Sequence, residues 1–311
     1  MPYKKHFDLK EIPFSTHPDP RFFYLTDQHQ TAMDKNQFTA QNKLGLGVTY
    51  GSPGTGKTSL SRILFQRFAD QQDFETVLLA DPQYKTDNRM LRAIIQEFDV
   101  GETQKAMADS MQIFSSFLEK KVADEGKTCL LIVDHGERMK EELYALISDL
   151  LELKDRDEKG LLQVLVFGRH EMRDKLRDPR SKNLAERIAI ESALEPLTYD
   201  DMVKKIEFRF HIAGLKEQPF SQDALRELYV RSKGVPRVVN RLADKALYEA
   251  MMRDGDQVWA EDIVRAEKVM GMSHLEMSLQ NGEKPLTPKK GKRGRPPQGP
   301  KRKPGRPKKN S

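Results

Sequence analysis

The chain has 311 residues, and its 53 Lys and Arg side chains outnumber its 47 Asp and Glu side chains, for a formal net charge of +6. The charge is unevenly distributed: residues 287–311 contain 11 basic residues and no acidic one, which leaves 42 basic and 47 acidic residues elsewhere. No apolar run approaches the ~18 residues of a membrane span, residues 1–10 lack the apolar stretch of a signal peptide, and Cys129 is the only cysteine. A disulfide framework is thereby excluded, and we expect a cytoplasmic protein with a mildly acidic body, a cationic tail and no membrane partner.

Residues 1–43 are predicted to form an irregular lead-in with a short helix, and predicted strands then alternate with predicted helices up to residue 196. Apolar runs predict strands at 45–50, 75–80, 129–133, 161–167 and 188–194. Helical patterns cover 57–68, 88–98, 103–123 and 140–153, and then 200–213, 223–232, 239–250 and 260–270. The alternation is typical of an α/β fold with a parallel sheet covered on both faces. Beyond about residue 273 the composition shifts to Pro, Gly, Lys and Arg, and we expect that segment to be disordered when free.

A phosphate-binding loop follows the first predicted strand. The sequence Gly51-Ser52-Pro53-Gly54-Thr55-Gly56-Lys57-Thr58, followed by Ser59, fits the pattern G-x-x-x-x-G-K-[ST] in full. Backbone N–H groups of such a turn surround phosphate oxygens, and the following helix adds its positive N-terminus. Lys57 can reach the β- and γ-phosphates, and the Thr58 hydroxyl can ligate Mg²⁺. The sequence predicts a site for ATP and Mg²⁺; the alternative is a glycine-rich turn that binds nothing.

A carboxylate ends the third predicted strand. Asp134 follows the apolar run 129–133, at the carboxyl edge of the sheet beside the phosphate loop, where it can hold Mg²⁺ directly or through water. Hydrolytic enzymes with this loop often have a glutamate next, which polarises the attacking water, whereas here the position is His135. Three alternatives stay open: Glu137 acts as the base, neutral His135 acts as the base, or hydrolysis is slow and ATP serves mainly as an assembly switch. An ordinary surface histidine in a turn is a fourth.

In these motifs the chain resembles ExeA-like AAA+ ATPases, whose relatives include transposition regulators of the MuB, TnsC and TniB kind. The resemblance covers about residues 7–270 and includes two lead-in motifs, Phe-Asp-Leu-Lys-Glu-Ile-Pro-Phe at 7–14 and Asp-Pro-Arg-Phe-Phe-Tyr at 19–24. It implies an ATPase domain with a five-stranded parallel sheet, a small helical lid, and a lead-in that packs near the adenine. The alternative for the lead-in aromatics is a hydrophobic staple.

The resemblance also assigns roles to arginines in the ATPase domain. The segment 164–169 resembles the strand that bears the γ-phosphate sensor, although relatives usually have a polar amide where Arg169 stands. The segment 184–188 resembles the one that carries a trans-acting arginine, here Arg187, which would stabilise charge on the phosphoryl group bound by a neighbouring subunit. Nearby alternatives are Arg173, Arg177 and Arg180.

In the lid, the segment 234–240 resembles the motif whose arginine, here Arg237, contacts the nucleotide. The alternative for Arg187 and Arg237 is an ordinary surface ion pair. The resemblance and the trans-acting arginine together imply a homo-oligomer, a ring or a filament. We therefore predict four segments: a lead-in that packs on the ATPase domain (1–43), the ATPase domain (44–196), the helical lid (197–272) and a disordered basic tail (273–311).

The tail contains an AT-hook core, Arg293-Gly294-Arg295-Pro296. The narrow minor groove of A·T-rich DNA has enhanced negative potential, so two arginines on an extended backbone can lie along it, while neighbouring lysines contact phosphates without reading sequence. A second copy, Pro304-Gly305-Arg306-Pro307, lacks the first arginine and is a half-motif. A generic basic tail is the alternative, and double-stranded DNA is the natural partner in either case.

The leading functional hypothesis is an ATP-dependent, nucleoid-associated DNA-binding regulator that assembles on duplex DNA with ATP and marks target sites for a transposase or an adaptor protein. ATP hydrolysis would release it. The alternatives are an ExeA-like secretion ATPase, a DNA-tethered scaffold with weak or no hydrolysis, and a replication-initiation or clamp-loading ATPase.

Overall fold

A computed structural model describes residues 2–15, 19–101, 106–178 and 181–280, with side chains described as far as Gly271. Residues 1–268 form one compact unit and residues 269–311 a second. The AT-hook core 293–296, Arg306 and Arg180 lie outside the described residues, so their predicted roles stay predictions.

The first unit is built on a five-stranded parallel sheet, as the sequence predicts. The strands are β1 (Leu46–Gly51), β2 (Phe74–Leu79), β3 (Thr128–Val133), β4 (Leu162–Gly168) and β5 (Ile188–Leu194). Their order is β2-β3-β4-β1-β5, and every pairing is parallel. The three central strands are buried along their whole length, which explains why they contain few polar residues. Because all strands run in the same direction, the residues that follow β1, β3 and β4 meet at one edge.

Helices cover the two faces of the sheet and continue beyond it. They are α1 (Tyr3–His6), α2 (Asp27–Gln41), α3 (Lys57–Ala69), α4 (Asp87–Glu97), α5 (Met107–Glu119), α6 (Glu141–Leu151), α7 (His170–Arg177), α8 (Lys182–Ala185), α9 (Tyr199–Ile212), α10 (Gln222–Ser232), α11 (Pro236–Met252) and α12 (Ala260–Gln280). Side-chain oxygens of Thr86, Thr198 and Ser221 cap α4, α9 and α10. Two apolar clusters, one containing Ile94 and Ile147 and the other containing Leu64, form the core on the sheet.

Three elements differ from the sequence prediction. The lead-in contains a 15-residue helix, α2, where only a short helix was expected, because its buried face includes polar side chains such as His29, Asn36 and Thr39 and shows no apolar period. The helix predicted at 103–123 is α5, which ends at Glu119 and continues as a π-helical turn, Lys120–Asp124. Helix α12 extends ten residues beyond the predicted end at Met270, to Gln280.

The lead-in contacts the helical part of the first unit. The Tyr3 hydroxyl donates to Oδ1 of Asp244 on α11 at 2.5 Å, and Lys10 N–H donates to the Ala213 carbonyl oxygen at 2.7 Å. The predicted boundary near residue 196 falls inside one compact unit and stays a prediction. Among the described helices, none is long and apolar enough to cross a membrane.

Candidate nucleotide-binding site

The glycine-rich loop has the backbone geometry of a phosphate cradle. It runs from the end of β1 into α3, and Gly54 (φ 86°) and Gly56 (φ 109°) both adopt positive φ angles that favour glycine. The Thr55 hydroxyl donates to the Ser52 carbonyl oxygen at 2.9 Å and braces the turn from within. A side chain at Gly51 would place its Cβ 2.2 Å from the Leu194 carbonyl oxygen, so only glycine fits there. The loop therefore presents the N-terminus of α3 and its unpaired N–H groups to an anion.

The Lys57 amino group lies in the hollow of this loop. Its Nζ donates to the carbonyl oxygens of Gly51 and Ser52, each at 2.8 Å, and the residue is only 8% exposed. Burial lowers the pKa of Lys57, while the nearby carboxylates of Glu137 and Asp134 oppose that shift. A polyphosphate bound in the loop would supply negative charge to a lysine that burial disfavours, so anion binding and Lys57 protonation reinforce each other.

Asp134 lies where the sequence predicts, directly after β3 and buried. Its backbone N–H donates to the Leu79 carbonyl oxygen at 3.0 Å, and its Oδ1 accepts from His135 N–H at 2.9 Å, which fixes the carboxylate. Thr58 and Asp134 offer a hydroxyl and a carboxylate, the hard oxygen donors that suit Mg²⁺, and Mg²⁺ bound with ATP would neutralise charge on the phosphates. Among the described residues, no cluster of three or more His, Cys, Asp or Glu could hold a metal by itself.

Glu137 is paired with Arg169. The Glu137 side chain is 8% exposed, its Oε2 accepts from Arg169 N–H at 3.1 Å, and its Oε1 lies 3.2 Å from Arg169 Nε. Residue 169 follows β4, which lies next to β3 in the sheet. Relatives usually have an amide at this position, whereas here an arginine pairs with Glu137, the carboxylate that could serve as the base. Sequence reasoning noted both residues but did not predict their contact.

His135 lies between the two carboxylates. Its Nδ1 is 3.4 Å from Glu137 Oε1, its Nε2 is 3.9 Å from Asp134 Oδ2, and its side chain is one-third exposed. It adopts a left-handed backbone conformation, φ 56°, and the turn then needs Gly136, because a Cβ at that position would lie 2.6 Å from Met172 Sδ. His135 therefore lies close to both carboxylates of the candidate site, and its role as a base, like that of Glu137, stays a prediction.

Two of the candidate trans-acting arginines, Arg187 and Arg173, contact side chains of their own chain. Arg187 Nη2 lies 2.6 Å from Oε1 of Glu152, at the end of α6. Arg173 stacks over the Tyr50 ring with 4.8 Å between its Cζ and the ring centroid. The ion pair fits the surface-pair alternative for Arg187, and its action on a neighbouring subunit stays a prediction.

The lid motif packs directly on the loop. Arg237 N–H donates to the Gly54 carbonyl oxygen at 3.2 Å, and a Cβ on Gly54 would lie 2.9 Å from Arg237 Cβ and 3.1 Å from Val235 Cγ1. Gly234, at φ 71°, lets the turn approach the Leu197 backbone. The Arg237 side chain is exposed beside the loop. The lid motif thus lies next to the phosphate loop. The contact of the Arg237 side chain with nucleotide stays a prediction.

The lead-in and α2 supply residues that sequence reasoning missed. His29 Nε2–H donates to the Thr55 carbonyl oxygen at 2.8 Å, and its Nδ1 accepts from the Thr26 hydroxyl at 2.6 Å. Burial lowers the pKa of His29 and keeps the ring neutral. The Phe23 ring packs on His29 and would lie 3.3 Å from a Cβ at Gly56. In the sequence, nothing around His29 indicates a functional residue, because it is a single histidine in a polar stretch. Phe23, in contrast, belongs to the predicted lead-in motif.

The lead-in aromatics pack in two different places, and the choice between the two alternatives for them stays a prediction. Phe14 packs edge-on against Phe210, and Phe22 is buried near Arg209 of α9, as a hydrophobic staple requires. Phe23 instead lies at the phosphate loop.

The fold and this site define an α/β P-loop protein with the AAA fold. Residues 41–176 match a family model described as AAA domain. The chain is 31% identical over 273 residues to "General secretion pathway protein A" of Aeromonas hydrophila. The matched region covers 87% of this chain and 49% of the Aeromonas protein. The chain thus spans about half the length of the curated relative it matches.

Solved structures show the same fold at low sequence identity. Cdc6p from Pyrobaculum aerophilum is 16% identical with a TM-score of 0.61, covering 81% of this chain and 71% of its own. Drosophila ORC bound to DNA is 15% identical with a TM-score of 0.62, covering 90% and 69%. The Thermotoga maritima RuvB branch migration motor is 15% identical with a TM-score of 0.51, covering 77% and 68%. The comparisons show that the chain is similar to AAA-domain proteins and to the Aeromonas secretion protein; membership of the ExeA-like ATPases and the link to transposition regulators stay predictions.

Proposed function

We propose that the chain binds ATP with Mg²⁺ in the loop 51–58, hydrolyses it slowly, and holds duplex DNA more tightly in the ATP-bound state. The proposed ATP binding is supported chiefly by the buried Lys57 amino group, which lies in the hollow of a complete phosphate loop. Burial lowers the pKa of Lys57, and the nearby Asp134 carboxylate opposes that shift and so favours the charged form. Phosphoryl transfer in P-loop proteins uses a phosphate loop with its lysine, a hydroxyl group and a carboxylate at a strand end. The chain has all of these, in the loop 51–58 with Lys57 and Thr58 and in Asp134.

Slow hydrolysis is supported by the contact between Glu137 and Arg169. A carboxylate that accepts a backbone N–H and lies 3.2 Å from a guanidinium nitrogen is less free to take a proton from water than an unpaired one. Glu137 would act as the base only after Arg169 turns away, for example towards a γ-phosphate. In this arrangement ATP acts as a switch, and the lifetime of the ATP-bound state depends on how often the Glu137–Arg169 pair separates.

Duplex DNA is the proposed partner. Eleven basic residues without an acidic one in the segment 287–311 neutralise phosphates, and the arginines of 293–296 suit an A·T-rich minor groove. Structures of the same fold include ORC proteins bound to DNA, which supports the body as a second contact. Within this function we propose assembly of several copies on DNA, as a ring or filament, and target selection for a transposase or its adaptor.

A second candidate is an ATPase of a secretion system, which the 31% identity to the Aeromonas protein favours. Both candidates use the same nucleotide site and differ in the second partner.

The test measures retention of a fluorescent duplex with MgATP, MgADP and no nucleotide. We expect the tightest binding with MgATP and a loss of nucleotide dependence in Lys57→Ala. The double variant Arg293→Ala, Arg295→Ala should weaken binding and reduce the preference for A·T-rich duplexes, whereas the matched variant Lys308→Ala, Lys309→Ala should retain that preference. Duplex binding that ignores the nucleotide would refute the proposed switch.

A further inference from the structure

The turn that follows β3 and carries Glu137 is held by side chains of other elements. It contains the left-handed His135 and one turn of 3₁₀ helix, Gly136–Arg138. A single turn of helix supplies few N–H donors to its own carbonyl oxygens, and backbone polar groups away from water require partners. Here the carbonyl oxygens of Gly136, Glu137 and Met139 each accept a hydrogen bond from a side chain that belongs to a following helix.

Lys175 of α7 makes two of these three contacts. Its Nζ donates to the carbonyl oxygen of Glu137 at 2.7 Å and to the carbonyl oxygen of Met139 at 2.7 Å, and the lysine is partly buried. The third contact comes from α6, where the Tyr144 hydroxyl donates to the Gly136 carbonyl oxygen at 2.8 Å. One ammonium group therefore fixes the backbone of the turn at two points, and one of them is the peptide group of Glu137 itself.

Helix α7 contacts the turn at three positions that are spaced three residues apart. Arg169, its N-cap residue, contacts the Glu137 carboxylate. Met172 packs on Gly136, where a Cβ would lie 2.6 Å from the Met172 Sδ. Lys175 follows three residues later. Residues three apart are neighbours on the surface of a helix, so one side of α7 holds the turn, and within it Lys175 acts on the backbone of Glu137 and not on its carboxylate.

The two cations of α7 therefore affect Glu137 in different ways. Arg169 lies against the carboxylate oxygens and restrains them. Lys175 holds the peptide group from which the side chain projects, and so sets the place that the carboxylate occupies after the arginine turns away. A reacting group displaced by about 1 Å can lose about 100-fold in rate. The backbone contact thus matters for a base even though it leaves the carboxylate oxygens free.

We propose that Lys175 is a positioning residue for ATP hydrolysis, which holds the backbone of the turn 135–139 so that the Glu137 carboxylate can reach the attacking water. The proposal rests on the proposed ATP hydrolysis and names a residue on which its rate depends. Lys175 bonds to the turn after β3 and not to the phosphate loop. Its removal should therefore lower turnover and leave nucleotide binding in place.

The test compares Lys175→Met, which removes the donors, with Lys182→Met on α8, where the lysine side chain is 71% exposed. On the full chain, phosphate release at saturating MgATP gives kcat, and calorimetry with the non-hydrolysable analogue adenylyl imidodiphosphate and Mg²⁺ gives the affinity. We expect Lys175→Met to lower kcat by at least about tenfold and to change the affinity by less than about twofold. Lys175→Arg, which keeps N–H donors at this position, should recover most of the lost turnover, and Lys182→Met should match wild type in both measurements.

A second measurement separates positioning of Glu137 from general support of the fold. In chains with Glu137→Gln, Lys175→Met should lower the remaining turnover by less than about twofold, because the lysine acts through that carboxylate. An unchanged kcat in Lys175→Met, an equal loss of affinity, a Lys175→Arg variant as slow as Lys175→Met, or a full loss that persists with Glu137→Gln would each overturn the assignment. These outcomes are distinct from failure of the proposed function, in which the wild-type chain binds no nucleotide or releases no phosphate, and the assignment then fails with it.

Discussion

The pairing of Glu137 with Arg169 predicts that removing the arginine side chain speeds ATP hydrolysis. In Arg169→Gln the backbone N–H bond to Glu137 Oε2 is retained, and the contact between Arg169 Nε and Glu137 Oε1 at 3.2 Å is lost. The freed carboxylate oxygen can then turn towards water. The same position would carry an amide, as in the ATPases that the chain resembles.

The size of the effect follows from the pair's exposure. An ion pair between exposed groups contributes about 0.2–1 kcal/mol, and a pair with one buried partner contributes more; here the Arg169 side chain is 41% exposed and the Glu137 side chain is 8% exposed. We therefore assign about 1–2 kcal/mol to its release, which corresponds to about a 5- to 30-fold higher turnover.

The assay is steady-state phosphate release at saturating MgATP, measured for Arg169→Gln in chains with Glu137 intact and with Glu137→Gln. The increase should occur only when Glu137 is intact, because the arginine acts through that carboxylate. A rate that falls or stays level in Arg169→Gln, or an increase that persists with Glu137→Gln, would refute the reasoning. His135→Ala then tests the histidine as the remaining base.

Other predictions concern the lid turn, the cysteine and the metal site. Gly234→Ala places a Cβ 2.2 Å from the Leu197 carbonyl oxygen at φ 71°, so chemical denaturation should show a loss of about 2–4 kcal/mol in unfolding free energy, whereas Gly160→Ala, with open space around it, should cost under about 1 kcal/mol. Burial raises the pKa of the Cys129 thiol to about 12, so iodoacetamide at pH 8 should label only the denatured chain; rapid labelling of the native chain would contradict this burial. Asp134→Asn should lower turnover by about 10²-fold while ATP still binds, and a turnover that stays at the wild-type level would exclude the proposed metal ligand.

The sheet and the phosphate loop could be predicted because their signals are local. Buried parallel strands such as β3 and β4 are predominantly apolar. The loop is a contiguous motif that lies between a predicted strand and a predicted helix. Helix α2 could not be predicted from apolar periodicity, since its buried face carries His29 and Asn36, which hydrogen-bond to the loop and to β1.

The contacts that give the site its character depend on packing between distant segments. Glu137 and Arg169 are 32 residues apart and meet because β3 and β4 are neighbours in the sheet. Lys205 reads in the sequence as one of two adjacent lysines on a charged helix, and only the packing of α9 on α11 and the lead-in shows that it is the buried one. Local sequence patterns thus identify the strands and the phosphate loop, whereas contacts between distant segments determine the environment of side chains such as Glu137 and Lys205.

The most direct test of the central claim is calorimetric titration of MgATP into the full chain and into Lys57→Ala. The account predicts one binding site per chain in wild type and a loss of at least about 100-fold in affinity in the variant, because the Lys57 amino group lies in the loop where phosphates bind. No heat of binding in wild type, or equal affinities for the two proteins, would contradict it.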